Sequence, residues 1–212
     1  MNNKKSTILH DAIALFLISL MSILALSFVY EITKEPIEQQ AMAKKLEAYK
    51  VVYPEAATLK EDTELMQKAL ETDLASIDIT FCDCTIDEIN QAYDSSDNLI
   101  GYIIKVSKRG YKDVISAVVG YSLDGTVKGM ELVAINETAG LGMNAAEPDF
   151  KNQFIGKAVK KFEVTKTGAQ EDNQINVISG ATITTDAVVY AVNAGIGFLT
   201  EYSAELGGSA NE

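Results

Sequence analysis

Between Ala12 and Tyr30 the chain reads AIALFLISLMSILALSFVY, 19 residues without a charge. As a helix this run would be roughly 28 Å long, close to the hydrocarbon thickness of a bilayer. A different pattern follows. Pro36 suits the first position of a helix over 36–52, in which Met42, Leu46, Tyr49 and Tyr53 recur at i, i+4, i+7 and i+11 among EQQ, KK and E. This helix is expected to continue the membrane helix into the domain until Pro54 ends it, and 55–75 is polar, with a weak helical pattern in Leu65, Met66, Ala69 and Leu70.

From about residue 76 the period shortens to that of strands. Runs at 76–82, 88–93, 99–107, 113–122 and 127–136 are separated by Asp94-Ser95-Ser96-Asp97-Asn98, by Lys108-Arg109-Gly110-Tyr111 and by Asp124-Gly125, the last a tight hairpin signal. Connections this short require antiparallel neighbours, so the strands form a meander. Beyond 136 come a glycine-bearing loop, a short helix near 147–156, a strand near 161–165 and a polar loop at 166–174. The last element is a helix over 184–204, with Thr184 or Thr185 placed to cap it and Asp186 in its first turn. Val188, Val192, Ile196 and Leu199 give it a buried stripe. The fold class is α+β: a single N-terminal transmembrane helix, then a domain with a mainly antiparallel sheet and flanking helices. The expected division is 1–35 for a cytoplasmic stub and transmembrane helix, 36–75 for a helical connector, 76–206 for the globular domain and 207–212 for a disordered tail.

Charge divides at the same place. The formal net charge is −12, with 18 Lys+Arg against 30 Asp+Glu. Residues 1–30 hold Lys4, Lys5 and Asp11, a net of +1, so the remainder carries −12 − 1 = −13. A chain so acidic lacks the basic footprint that nucleic acid requires. One histidine and two cysteines exclude a four-cysteine metal or iron–sulfur site built by this chain alone, and a disulfide framework as well. The apolar run is long for a cleaved signal peptide, although Ala25-Leu26-Ser27 faintly resembles a cleavage site. Read as an uncleaved anchor, it places Lys4 and Lys5 in the cytoplasm and everything after Tyr30 outside, in the cell (inner) membrane. Cys82 and Cys84 would share one face of a strand and pack there, or else meet a neighbouring protein of an assembly.

The sharpest local feature is Ser179-Gly180-Ala181-Thr182-Ile183-Thr184-Thr185, just before the C-terminal helix. Helix N-terminal amides are unpaired and the helix dipole is positive there, Gly180 permits a backbone conformation closed to side chains, and Ala181 leaves room for close approach. These are the makings of a phosphate site, and equally of a decorated helix cap. Composition does not separate the two.

The run SGATITTDAVVYAV resembles the flavinylation motif of an FMN-binding family. That family includes the RnfG component of the Rnf complex and its counterpart in the sodium-pumping NADH:quinone reductase. GYIIKVSKRGYKDVISAVVGYSLDGTVKGMELV is similar to the family's central strands, and ETAGLG to its ETPGLG loop, so the likeness spans about 99–200. The resemblance implies FMN bound covalently, its phosphate esterified to Thr182 by a separate flavin transferase. It also implies a cofactor shell of Ser179, Gly180, Ala181, Asn176, Thr184 and Thr185 with Glu137, Thr138, Gly140, Leu141 and Gly142. Asn176 stands where the family usually has Asp, and Ala139 where it has proline. No catalytic residue and no metal ligand is implied. The function expected from the likeness is a membrane-anchored electron carrier of an ion-translocating ferredoxin:NAD oxidoreductase (Rnf-type) complex, partnered by the complex's other membrane subunits. The NADH:quinone reductase counterpart, a flavin-free assembly domain and an independent flavin shuttle remain the alternatives. Tyr102, Tyr111 and Tyr121 are candidates to stack on the flavin, or core residues of their strands.

Overall fold

The computed structural model describes residues 2–207, with side chains described for 10–37, 39, 40 and 42–202. Two compact units divide the chain, one through Lys44 and the other from Lys45 onward.

The first unit is helical and belongs to α1 (Asn2–Val52). Its apolar side chains, from Ile13 through Phe28 to Ile32, are exposed, as a helix meant for lipid requires. Residues 36–52 continue the membrane helix as expected, but Pro36 lies inside α1 and does not open a helix of its own, which corrects its reading as a first position. One proline removes a single intrahelical bond, and strong helix formers continue on both sides of it.

In the second unit the last two turns of α1 pack on a five-stranded antiparallel sheet. Its strands are β1 (Thr58–Glu61), β2 (Cys84–Tyr93), β3 (Leu99–Arg109), β4 (Val114–Ser122) and β5 (Val127–Ala134), in spatial order 1-2-3-4-5. The expected meander is therefore present, with Gly125 at φ +87° in its tightest turn. Three expectations fail at its edges. The polar stretch 55–75 contains β1 before α2 (Thr63–Glu71), because Leu59 supplies the apolar contact an edge strand needs. The strand expected at 76–82 is replaced by 3-10 turns at Leu74–Ser76 and Ile79–Phe81. Asp73 and Asp78 accept from Ala75 N–H and Thr80 N–H there, a local pairing that outcompetes a ladder. The break expected at Lys108 comes later, since β3 runs on to Arg109 and Lys108 pairs with Ile115.

Each face of the sheet is covered by one helix. On one side Tyr49, Val52 and Tyr53 pack against Ala92, Ile103 and Val118. The approach is backbone to backbone. A Cβ on Gly120 would stand 2.2 Å from the Val52 carbonyl oxygen, and one on Gly129 would stand 2.5 Å from Val52 Cα. Gly120 and Gly129 are cross-strand partners, so together they make a notch that seats the helix end. The other side carries the larger core, where Tyr102, Ile104, Val106 and Val119 meet α4 (Thr182–Gly207) through Val188, Val192, Ile196 and Leu199. α4 is apolar enough to cross a membrane, but it is mostly buried, so it is a core helix. A 3-10 turn at Gly142–Ala146, α3 (Pro148–Lys151) and a two-stranded parallel ribbon, β6 (Glu163–Thr165) and β7 (Gln174–Asn176), close the end of this core. Gly207 is the last residue of α4, and the rest of the expected tail lies outside the described residues.

Candidate functional site

The N-terminus of α4 begins at Thr182, two residues earlier than expected, so Thr184 and Thr185 are inside its first turns and do not cap it. Their hydroxyls are spoken for. Thr185 Oγ1 donates to Ala181 O at 2.9 Å and accepts from Ile178 N–H at 3.1 Å, which ties the approaching chain into the turn. Thr184 Oγ1 donates to Glu137 Oε2 at 3.0 Å. Gly180 turns the chain with φ +74°, and a side chain there would also meet Leu141 Cδ2 at 2.9 Å. The residue preceding the helix is thus Ala181, which has no side-chain acceptor to offer. Among the described residues the N–H groups of Thr182, Ile183 and Thr184 have no acceptor, and the Thr182 hydroxyl has no partner.

Glu137 organises the opposite wall. It is 4% exposed, and its Oε1 accepts from Lys112 N–H at 3.0 Å while Oε2 holds Thr184. Its bulk is fitted to two glycines. A Cβ at Gly110 would lie 2.4 Å from Glu137 Oε1, and one at Gly142 would lie 2.7 Å from Glu137 Cβ. One carboxyl group therefore locks together the β3–β4 turn, the loop after β5 and the start of α4. Between them lies a cavity of about 520 Å³, lined by Tyr111, Glu137, Thr138, Leu141, Gly142 and the segment 180–184.

The sequence-expected shell is only partly assembled here. Thr182, Gly180, Ala181, Thr184, Glu137, Thr138, Leu141 and Gly142 line the cavity, whereas Ser179, Asn176, Gly140 and Thr185 do not. Asn176 instead accepts from Ala169 N–H at 2.7 Å, bracing the 166–173 loop. Gly140, at φ +73°, shapes its loop from outside. Of the three tyrosines, Tyr111 is 66% exposed and lines the cavity, Tyr102 is core, and Tyr121 shares a hydrogen bond with Thr200 at 3.1 Å. The two cysteines do not share a strand face: Cys82 is exposed at the end of a 3-10 turn. Cys84 opens β2 half-buried, its Sγ donating to Tyr190 O at 3.7 Å, and burial pushes its thiol up to about 11.

Thr182 also borders a second, more polar cleft of about 480 Å³, walled by Thr80, Lys161 to Val164, Lys166, Asp186 and Tyr190. Burial pushes the Asp186 carboxyl up, and Lys166 pulls it back. Nothing in the sequence pattern marks this cleft, because its residues come from separated segments of the chain.

The structure fits a flavin mononucleotide on two counts. The first cavity has the size of a small-molecule site and offers Tyr111, Leu141 and Ile183 as apolar walls. Beside it, the uncapped helix start presents unpaired N–H donors suited to a phosphate.

Known proteins give the same reading. The FMN-binding domain family matches residues 110–197, and the RnfG N-terminal region matches residues 1–52. The chain is 27% identical over 189 residues to the G component of the ion-translocating oxidoreductase complex of Methanosarcina acetivorans, covering 89% of this chain and 92% of that one. It is 30% identical over 187 residues to the G component of the Na(+)-translocating ferredoxin:NAD(+) oxidoreductase complex of Acetobacterium woodii, covering 86% of each. Among solved structures, the C component of the Na(+)-translocating NADH-quinone reductase of Parabacteroides distasonis is similar at 23% identity. That match covers 68% of this chain and 78% of that one, with a TM-score of 0.46. With an FMN-binding domain behind an N-terminal region of this type, the chain belongs to the RnfG family of the ion-translocating oxidoreductase complexes.

Proposed function

We propose that this chain is the membrane-anchored electron carrier of an ion-translocating ferredoxin:NAD oxidoreductase, with FMN esterified through its phosphate to Thr182. One observation carries the assignment of the residue. Of the motif's hydroxyls, Thr184 and Thr185 are buried and bonded, Ser179 does not line the cavity, and Thr182 alone borders it unpartnered among the described residues.

The flavin, when bound, supplies the redox chemistry, and the protein supplies position and electrostatics. Tyr111, Leu141 and Ile183 would cover the ring, Glu137 would keep the three loops at fixed spacing, and the helix N–H groups would face the phosphate. Covalent attachment suits the setting. Free FMN carries a phosphate close to dianionic at neutral pH, which the −13 of residues 31–212 disfavours, whereas an ester to Thr182 keeps one charge and abolishes dissociation. A flavin transferase would be required to make the ester. Lys4 and Lys5 before the apolar run support a cytoplasmic N-terminus, with the flavin domain outside and the complex's other membrane subunits as partners.

Intact-mass analysis of the full chain, produced with a flavin transferase, tests the residue assignment. Wild type should carry the mass of FMN minus water, and Thr182→Ala should not. A flavin retained by Thr182→Ala would place the link elsewhere.

A further inference from the structure

Glu137 is the only charged side chain among the described residues that line the cavity with apolar walls. It is 4% exposed, and every group that donates to it is neutral. Its Oε1 accepts from Lys112 N–H at 3.0 Å and, more weakly, from Asp113 N–H at 3.5 Å. Its Oε2 accepts from the Thr184 hydroxyl at 3.0 Å. Among the described residues no lysine, arginine or histidine nitrogen lies within 4.0 Å of either oxygen. Lys112 lends only its backbone, for its Nζ donates to Asn136 Oδ1 at 3.2 Å. Arg109 and Lys112 are exposed to solvent, and Asp113 of the same turn offsets one of them.

A carboxylate removed this far from water is ordinarily matched with a cation. Packing does not account for it here. The lock on the three segments needs hydrogen bonds, and glutamine could supply them, its carbonyl to the N–H groups and its amide to the Thr184 hydroxyl. What glutamine lacks is the charge. The N–H and O–H dipoles hold that charge in place without cancelling it. Its field therefore reaches the cavity, and a buried charge is screened far less than a surface one.

We propose that Glu137 sets the potential of the flavin, holding it low by repelling each electron that arrives. The inference rests on the ring occupying this cavity from Thr182. When the flavin takes one electron from a redox partner, which is oxidised in turn, the ring gains one negative charge. Until a proton follows, that charge faces the carboxylate. At the effective dielectric of protein interiors, a unit charge about 10 Å away disfavours such a step about tenfold or more. Glu137 acts through space, without touching the reacting atoms, and a carrier held low in this way passes its electron on readily.

A redox titration of the full chain in detergent, flavinylated by a transferase and equilibrated with mediator dyes, reads the effect. Glu137→Gln should ease the first electron about tenfold, which is about 59 mV upward. Glu137→Asp keeps the charge but shortens the reach to Lys112 and Thr184, so it should lower Tm while leaving the potential near that of wild type. A merely structural role would reverse that ranking, with aspartate disturbing the potential more than glutamine. Asp97→Asn removes a carboxylate beside Lys60, at the opposite end of β3, and should not move the potential. Thr138→Lys puts a cation on an exposed position of the same cavity wall without touching the lock, and should also raise the potential. It carries the test if Glu137→Gln takes up no flavin. An unmoved potential in Glu137→Gln, or in Thr138→Lys in that event, would overturn the tuning alone, as would an aspartate variant shifted as far as the glutamine one. Wild type without any flavin on Thr182 would overturn this inference together with the reading beneath it.

Discussion

Replacing Glu137 with alanine removes the acceptor from the Thr184 hydroxyl, the Lys112 N–H and, at 3.5 Å, the more weakly held Asp113 N–H. The Thr184 hydroxyl belongs to a residue only 1% exposed, while Lys112 and Asp113 are exposed enough for their N–H groups to recruit water. Hydrogen bonds to charged groups contribute about 1.5–3 kcal/mol each, so one full and one partial loss costs about 3 kcal/mol. For a chain of this size that corresponds to a fall of about 6–12 °C in Tm. Glutamine separates hydrogen bonding from bulk. Its carbonyl can accept from Lys112 N–H and its amide can donate to Thr184, whose hydroxyl is able to accept instead. Only charge assistance is lost, about 1 kcal/mol or about 2–4 °C. Calorimetry of the full chain in detergent reads both variants. If glutamine proves as costly as alanine, or alanine costs under about 1 kcal/mol, the carboxyl group is not the lock described above.

Gly120→Ala should destabilise by the about 1–3 kcal/mol typical of overpacking, or more, lowering Tm by about 2–12 °C or more, since the atom it strikes is backbone and cannot rotate away; an unchanged calorimetric Tm would refute the notch. The Lys161 hydrogen bond and the Thr80 N–H hold the Asp78 carboxyl down to about 2 from its ordinary 3.8. A carboxylate depressed by folding stabilises above its unfolded value and loses that contribution as pH falls, so wild type should lose stability between 3.8 and about 2. Asp78→Asn should flatten that limb of a pH series of unfolding midpoints, and identical acid limbs would count against the pairing. Tyr111→Leu should brighten the bound flavin by removing an aromatic ring beside it, and equal emission from both proteins would place the ring elsewhere.

The four long strands and α4 were legible because their signals are local: alternation, an Asp-Gly turn, and a stripe at helical spacing. What escaped depends on distant partners. β1 is four residues with one useful apolar contact, Leu59, and becomes a strand only because the β2 edge is open beside it. The 73–81 segment contains strand-forming Ile and Thr, yet two aspartates bend it into turns through bonds to the backbone two residues on. In the site, the motif pointed to Thr182, which does line the cavity, but misread the parts its neighbours play. Thr184 looks like a cap until Glu137, 47 residues earlier in the chain, claims its hydroxyl. Lys108 reads as part of a polar turn, and nothing short of tertiary structure shows it buried beside Thr80 and Tyr190.

The glycine notch has a practical consequence for anyone wishing to free this domain from its anchor. Tyr49, Val52 and Tyr53 look like the tail of a membrane helix, yet they cover Ala92, Ile103 and Val118 on one face of the sheet. A soluble version begun at the first strand would expose Ile103, Val118 and two facing glycines to water, leaving a greasy slot that invites aggregation. One begun near Lys45 keeps the slot filled, along with the Lys45–Glu88 ion pair at 2.5 Å. The domain therefore begins inside a helix it does not own outright, about two turns before that helix ends.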